Sequence, residues 1–179
     1  MHNQIQPKSE LEEWHSVDDP WKYESTPDDK KRKNLLLSEI PQGHYKNTLD
    51  IGCGQGFITK DLPGDSIIGI DISHEAINKA KKYESSKLKF KQADIFEVCE
   101  ALDNQQFDLI IITGVLYPQY IGNSNRLINH LIDKILSKKG ILVSVHIDEW
   151  YNNRFPYLLL SDLAYSYRNY YHRLEVYVK

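Results

Sequence analysis

Three aspartates are spaced as ligand-binding carboxylates. Asp50 stands in Leu49-Asp50-Ile51-Gly52-Cys53-Gly54-Gln55-Gly56, Asp71 in Ile70-Asp71-Ile72-Ser73, and Asp94 in Gln92-Ala93-Asp94-Ile95. Glycines between a strand and a helix let the chain turn sharply and let its backbone approach a ligand with no Cβ in the way. The spacing is G-x-G-x-G, whereas pyrophosphate sites use G-x-G-x-x-G. Asp71 falls 19 residues after Gly52, where an acid can hold ribose hydroxyls. A single acid at a strand end can be a helix cap, but three in register point to a ligand. Two further residues are candidates for proton chemistry. His146 follows Ile141-Leu142-Val143-Ser144-Val145, and an unperturbed imidazole titrates near pH 6.5, so it is a candidate general base. The alternative is a histidine satisfied by a backbone carbonyl. Tyr117 is the competing polar group, a weaker base because a phenol ionises near pH 10.

The elements that must position these groups follow from the apolar pattern. Thr48 to Ile51, Ser66 to Ile70, Leu88 to Lys91, Phe107 to Ile112 and Ile141 to Ile147 are predicted strands. They are short, rich in Ile, Leu and Val, and mostly lack alternation, as strands covered on both faces should. Phe57 to Leu62, Glu75 to Tyr83, Phe96 to Leu102 and Arg126 to Leu136 read as the helices between them. Such repetition implies a doubly wound α/β fold around a mostly parallel sheet, whose ligands bind at the carboxyl edge. Upstream, Thr26-Pro27-Asp28-Asp29 reads as a helix start, with Thr26 as N-cap and the helix stopping before Pro41. The first dozen residues are expected to be mobile. Phe155 to Ala164 reads as one more helix, and Tyr165 to Lys179 alternates as strands closing one sheet edge. The division expected is an N-terminal segment and helix over 1–41 and one ligand-binding domain over 42–179.

Charge and composition disfavour several classes. The net charge is −3 and the one basic run, Lys30 to Lys33, is offset by Asp28 and Asp29; nucleic-acid binding needs a broader basic face. No run approaches the roughly 20 apolar residues of a membrane span, and the polar first residues lack a signal-peptide core, so a cytoplasmic location is expected. Cys53 and Cys99 make no disulfide framework, and Cys53 reads as a small residue between glycines. No metal is expected: His146, Asp148 and Glu149 would project to opposite faces at a strand end. There is no G-x-S-x-G elbow for a hydrolase.

In this combination of motifs, roughly over Thr48 to Val145, the sequence resembles class I S-adenosylmethionine-dependent methyltransferases, which share a Rossmann-like fold. The resemblance implies that Asp50 to Gly56, including Gly52, Cys53 and Gly54, wrap the methionine portion of S-adenosylmethionine. It implies further that Asp71 holds both ribose hydroxyls and that Ile72 and Ile95 sandwich the adenine. Asp94 would accept from the adenine amine, and the backbone near Thr113 would line the sulfonium side. A second likeness is upstream. Asp19-Pro20-Trp21-Lys22-Tyr23-Glu24-Ser25, Leu35-Leu36-Leu37 and Ile40-Pro41 resemble the N-terminus of the nodulation N-methyltransferase group, which methylates a sugar amine. That likeness implies a lid lined by Trp21 or Tyr23 and a basic residue, Arg32 or Lys31, at the methionine carboxylate.

The expectation is therefore methyl transfer to oxygen or nitrogen of a small acceptor, a sugar or sugar conjugate, with the oligomeric state left open. Gly114 stands where relatives often place an acid, which keeps a second reading: a cofactor-binding partner subunit without activity. A dinucleotide oxidoreductase is disfavoured by the glycine spacing and by Asp94.

Overall fold

The computed structural model describes residues 5–17, 19 and 26–179. Its order is α1 (Lys8–Ser16), α2 (Pro27–Glu39), β1 (Asn47–Ile51), β2 (Ser66–Asp71), α3 (His74–Ala80), β3 (Leu88–Gln92), α4 (Val98–Ala101), β4 (Phe107–Thr113), α5 (Pro118–Ile121), α6 (Asn125–Ile135), β5 (Leu136–Ile147), β6 (Leu158–Tyr167) and β7 (Tyr170–Val178). The strands form a seven-stranded sheet in the order β3-β2-β1-β4-β5-β7-β6. The first five run parallel, and β7 and β6 add antiparallel at one edge. This is the Rossmann-like doubly wound fold expected.

Both faces of the sheet are covered, which explains why the central strands read as unbroken apolar runs. Leu109, Ile110, Ile111 and Ile112 of β4 are all fully buried. Ile110 and Ile112 face one core with Val98 of α4 and Ile128, Ile132 and Ile135 of α6. Leu109 and Ile111 face the other, with Leu36 of α2 and Ile77 of α3. Each such side chain contributes about 1.5–3 kcal/mol when fully buried. Among the described residues no helix is long and apolar enough to cross a membrane.

Several expectations need correction. The segment Phe155 to Ala164 is not a helix; Leu158–Tyr167 is the edge strand β6, paired to β7 from Leu158↔Val178 to Tyr167↔Tyr170. Its exposure alternates along the strand, and Leu158, Leu159, Leu160 and Leu163 mimic a helical face only when that pairing is unseen. Phe57 to Leu62 holds only a 3₁₀ turn, Thr59–Asp61, because Gly56 and Pro63 leave too few residues for an α-helix. Phe96 to Leu102 divides between a 3₁₀ turn, Ile95–Glu97, and the short α4. The helix at Pro27 starts where expected, but the Thr26 hydroxyl makes no capping bond.

The opening residues are the largest surprise, because they form α1. The Glu12 carboxylate there accepts hydrogen bonds from Ser73 Oγ (2.7 Å) and from the backbone N–H groups of His74 (2.8 Å) and Glu75 (3.1 Å). A carboxylate at the start of α3 meets unpaired amides and the positive end of the helix dipole. Burial works against its charge, but these bonds hold its pKa below the usual glutamate value.

Candidate functional site

A cleft of about 560 Å³ opens along the carboxyl ends of the strands. Its first half is built by turns whose backbone could not be otherwise. Gly52 has φ +77°, and a Cβ there would lie 2.3 Å from Val115 Cγ2 and 3.0 Å from the Thr113 carbonyl oxygen. The Gly52 and Cys53 amides donate to the Ile70 carbonyl at 2.9 and 3.0 Å, which ties this turn to β2. Asp71 then grips the turn: Oδ2 accepts from the Gly54 amide and Oδ1 from the Ser73 amide, each at 2.9 Å. Burial raises the Asp71 pKa, while those two amides and His15 oppose the rise.

Asp50 is 1 % exposed. Its Oδ2 accepts from Thr59 Oγ1 at 2.6 Å, while Oδ1 is buried without a hydrogen bond among the described residues. Burial, aided by the Asp71 charge, pushes the Asp50 carboxyl up to about 6 against the Thr59 bond and Arg32. A buried carboxylate oxygen without a donor fits an incoming ammonium such as that of a methionine moiety. Cys53 is buried, and burial pushes its thiol well up, so it is a packing residue and no nucleophile.

Ile72, Asp94 and Ile95 border the same half of the cleft. Asp94 is partly a cap after all, since Oδ1 accepts from the Phe96 amide at 3.0 Å. Its second oxygen makes no hydrogen bond among the described residues, so it can still accept one from a ligand. Arg32 reaches the cleft from α2 and lies 5.6 Å over the Tyr167 ring, with its Nε 3.7 Å from Asp29 Oδ1. Lys31 instead lies over Tyr165, so of the two basic candidates Arg32 is the one placed at the cleft. Trp21 and Tyr23 lie outside the described residues.

The second half is aromatic. Tyr117 and Trp150 meet edge to face at 5.3 Å, and Trp150 meets Tyr170 at 5.2 Å; all three border the cleft. Thr113 and Gly114 lie between the halves, and a Cβ at Gly114 would meet nothing within 4 Å.

The proton-transfer candidates change most. The Tyr117 hydroxyl accepts from the Ile147 amide at 2.9 Å, so the residue serves as a wall and a brace. His146 is absent from the described residues that border the cleft. It is 1 % exposed, with Nδ1 3.3 Å from Ser144 Oγ and its ring edge-on to Tyr151 at 4.8 Å. Burial, with Arg173 adding to it, pushes its pKa down to about 4, against Asp148 and Asp162. The side chain of a strand end alternates, and this one turned away. Its neighbour Asp148 is held by Arg173 at 2.6 Å. Among the described residues no cluster of three metal-type donors occurs.

Two residues at the cleft carried no usable sequence signal. His15 of α1 lies over the glycine turn, with Cε1 4.0 Å from where a Gly54 Cβ would be. His172 of β7 borders the aromatic half.

These features agree with the known proteins the chain is similar to. A family model described as a methyltransferase domain matches residues 44–174. Nodulation protein S of Rhizobium tropici is 30 % identical over 111 residues, covering 60 % of this chain and 45 % of the relative. Malonyl-[acyl-carrier protein] O-methyltransferase of Acetivibrio thermocellus is 29 % identical over 154 residues, covering 82 % and 50 %. The chain thus spans about half the length of these curated relatives. The crystal structure of the N-methyltransferase NodS from Bradyrhizobium japonicum with S-adenosyl-L-homocysteine superposes with a TM-score of 0.82 at 22 % identity, covering 96 % of this chain and 97 % of that one. The matched family model, over residues 44–174, supports one conclusion: the chain belongs to the methyltransferase-domain family.

Proposed function

We propose that the protein transfers the methyl group of S-adenosylmethionine to an oxygen or nitrogen of a small acceptor, a sugar or sugar conjugate, in the cytoplasm. The observation that carries this is the division of one cleft into a carboxylate-and-glycine half and an aromatic half. When bound, S-adenosylmethionine supplies a methyl activated by its sulfonium. The unpaired oxygen of Asp50 and the Gly52 to Gly54 turn hold the methionine portion, with Arg32 at its carboxylate. Asp71 takes the ribose hydroxyls, Ile72 and Ile95 flank the adenine, and Asp94 accepts from its amine. The Thr113 backbone lines the reacting end. The described residues of the 1–41 segment serve as a lid, and 42–179 as the domain beneath it. Trp150 and Tyr170, 40 % and 39 % exposed, offer apolar ring faces of the kind that pack on sugar rings. Much of the rate then comes from alignment, since holding reactants in line replaces an encounter in solution.

Calorimetry tests the first half of the reading: S-adenosylhomocysteine should bind at least tenfold more tightly than NAD or ATP, a gap of about 1.4 kcal/mol. Labelled cofactor tests the second, with glucosamine, N-acetylglucosamine and bulk RNA offered in parallel. Label entering RNA and neither sugar would overturn the acceptor class.

A further inference from the structure

The cleft holds two buried opposite charges that ought to collapse onto each other. Asp50 lines it from the end of β1, and its Oδ1 has no hydrogen bond among the described residues. Arg32 lines it from α2 and is buried as well. A guanidinium beside a carboxylate that lacks a donor forms a strong, charge-assisted bond when nothing prevents it. Among the described residues, however, no hydrogen bond or ion pair joins Arg32 to Asp50; Thr59 is the partner of Asp50. Arg32 is ion-paired instead with Asp29, one turn earlier on α2, with Nε 3.7 Å from Oδ1.

Asp29 is itself anchored from far along the chain. It is fully buried, and it accepts from the Tyr167 hydroxyl through Oδ1 and from Arg168 Nη2 through Oδ2, each at 2.6 Å. Both donors belong to the β6–β7 hairpin. The Arg32 and Arg168 guanidinium groups lie 5.6 and 5.3 Å from the Tyr167 ring centre. Arg168 also occupies a costly position. Its φ is +51° in the two-residue turn between Tyr167 and Tyr170, where glycine or asparagine is the usual choice. A buried ion pair is a poor way to stabilise a fold, because desolvation offsets the attraction. Here that cost and a left-handed arginine meet at one edge of the cleft.

We propose that Asp29 is a positioning residue: anchored by Tyr167 and Arg168, it holds Arg32 apart from Asp50. The cleft then keeps two separated charges for the ammonium and carboxylate of the cofactor's methionine end. The proposal deepens the cofactor reading above and rests on its assignment of Asp50 and Arg32. A site whose charges had paired with each other would have to break that pair before binding a zwitterion, whereas a preorganised one does not. The hairpin that carries Tyr170 to the aromatic half thus takes part in cofactor recognition at the other half.

The test is a double-mutant cycle on the full chain, read by calorimetry with S-adenosylhomocysteine and by melting temperature. Asp29→Asn should weaken binding by about 10- to 150-fold, the range of a hydrogen bond to a charged group. In an Asp50→Asn background, where Arg32 has no such carboxylate to turn to, the same change should weaken binding by about threefold or less. Arg168→Gly suits the turn and should keep the wild-type melting temperature. It should show the same dependence on Asp50 at a smaller size, about three- to tenfold. Equal losses in the two backgrounds overturn the proposal, because Asp29 would then serve the fold alone; so does wild-type affinity in Asp29→Asn. Both results leave the cofactor reading standing. If Asp29→Asn does not fold, the Arg168→Gly cycle decides by the same criterion. Unchanged affinity in Arg32→Met or in Asp50→Asn removes the assignment beneath the proposal and the proposal with it. A wild-type protein that does not bind S-adenosylhomocysteine defeats the cofactor reading itself.

Discussion

The two halves of the cleft are built by opposite means. The cofactor half is made of strand–turn units in which backbone does much of the holding: Gly52 and Cys53 amides on the Ile70 carbonyl, and Gly54 and Ser73 amides on Asp71. The aromatic half is made of side chains delivered by a loop and by an antiparallel hairpin, with Tyr117, Trp150 and Tyr170 in ring contact. A backbone-held site tolerates little change at its glycines and accepts one ligand. A site walled by rings can be recut by substitution while the fold stays intact.

That contrast can be broken at four places. The largest effect is expected from Gly52→Ala. Its methyl would enter Val115 at a positive φ, adding overpacking of about 1–3 kcal/mol to backbone strain of about 1–2 kcal/mol. S-adenosylhomocysteine binding should vanish in calorimetry and the melting temperature should fall; an alanine variant that binds normally would show that the turn is soft. Next comes Asp71→Ala, which removes a charged acceptor from the cofactor half. Hydrogen bonds to charged groups contribute about 1.5–3 kcal/mol, so affinity should fall about 10- to 150-fold, and unchanged affinity would dismiss the ribose assignment.

Tyr117→Phe is the converse case. It strips the partner from the buried Ile147 amide, which should lower stability by about 1–3 kcal/mol in denaturant titration. Cofactor affinity should stay put; if it drops in parallel, the halves are not independent. The smallest effect is a pH dependence. Because burial raises Asp50 to about 6, its contribution to the stability of the ligand-free protein is greatest in acid and falls as pH rises through about 6. Affinity for a ligand ammonium runs the other way, rising over the same interval as the carboxylate ionises and levelling above it. Calorimetry from pH 5 to 8 on wild type and Asp50→Asn should show the rise only in the former.

The same contrast explains what could be read from the chain. The cofactor half was legible because each unit is local: a strand, a turn residue and an acid lie within a few positions, and their types carry the chemistry. Asp94 shows the limit, since the cap that forms and the ligand contact proposed call for the same carboxylate. The aromatic half depends on pairings between distant residues. His172 meets the cleft only because β7 aligns it with Ile147, and His146 turns away for want of one position. The helix expected at Phe155 to Ala164 failed for the same reason, as β6 is defined by its partner strand. The opening helix was missed because Glu12 finds its amides on α3, some sixty positions downstream.

That helix has a kinetic meaning. Leu11 and His15 of α1 border the cleft, and the strap is pinned at Glu12 onto the helix that begins just after Asp71. If a ligand lies beneath this strap, its exchange is expected to wait on three bonds to one carboxylate, a contact the ligand itself never touches.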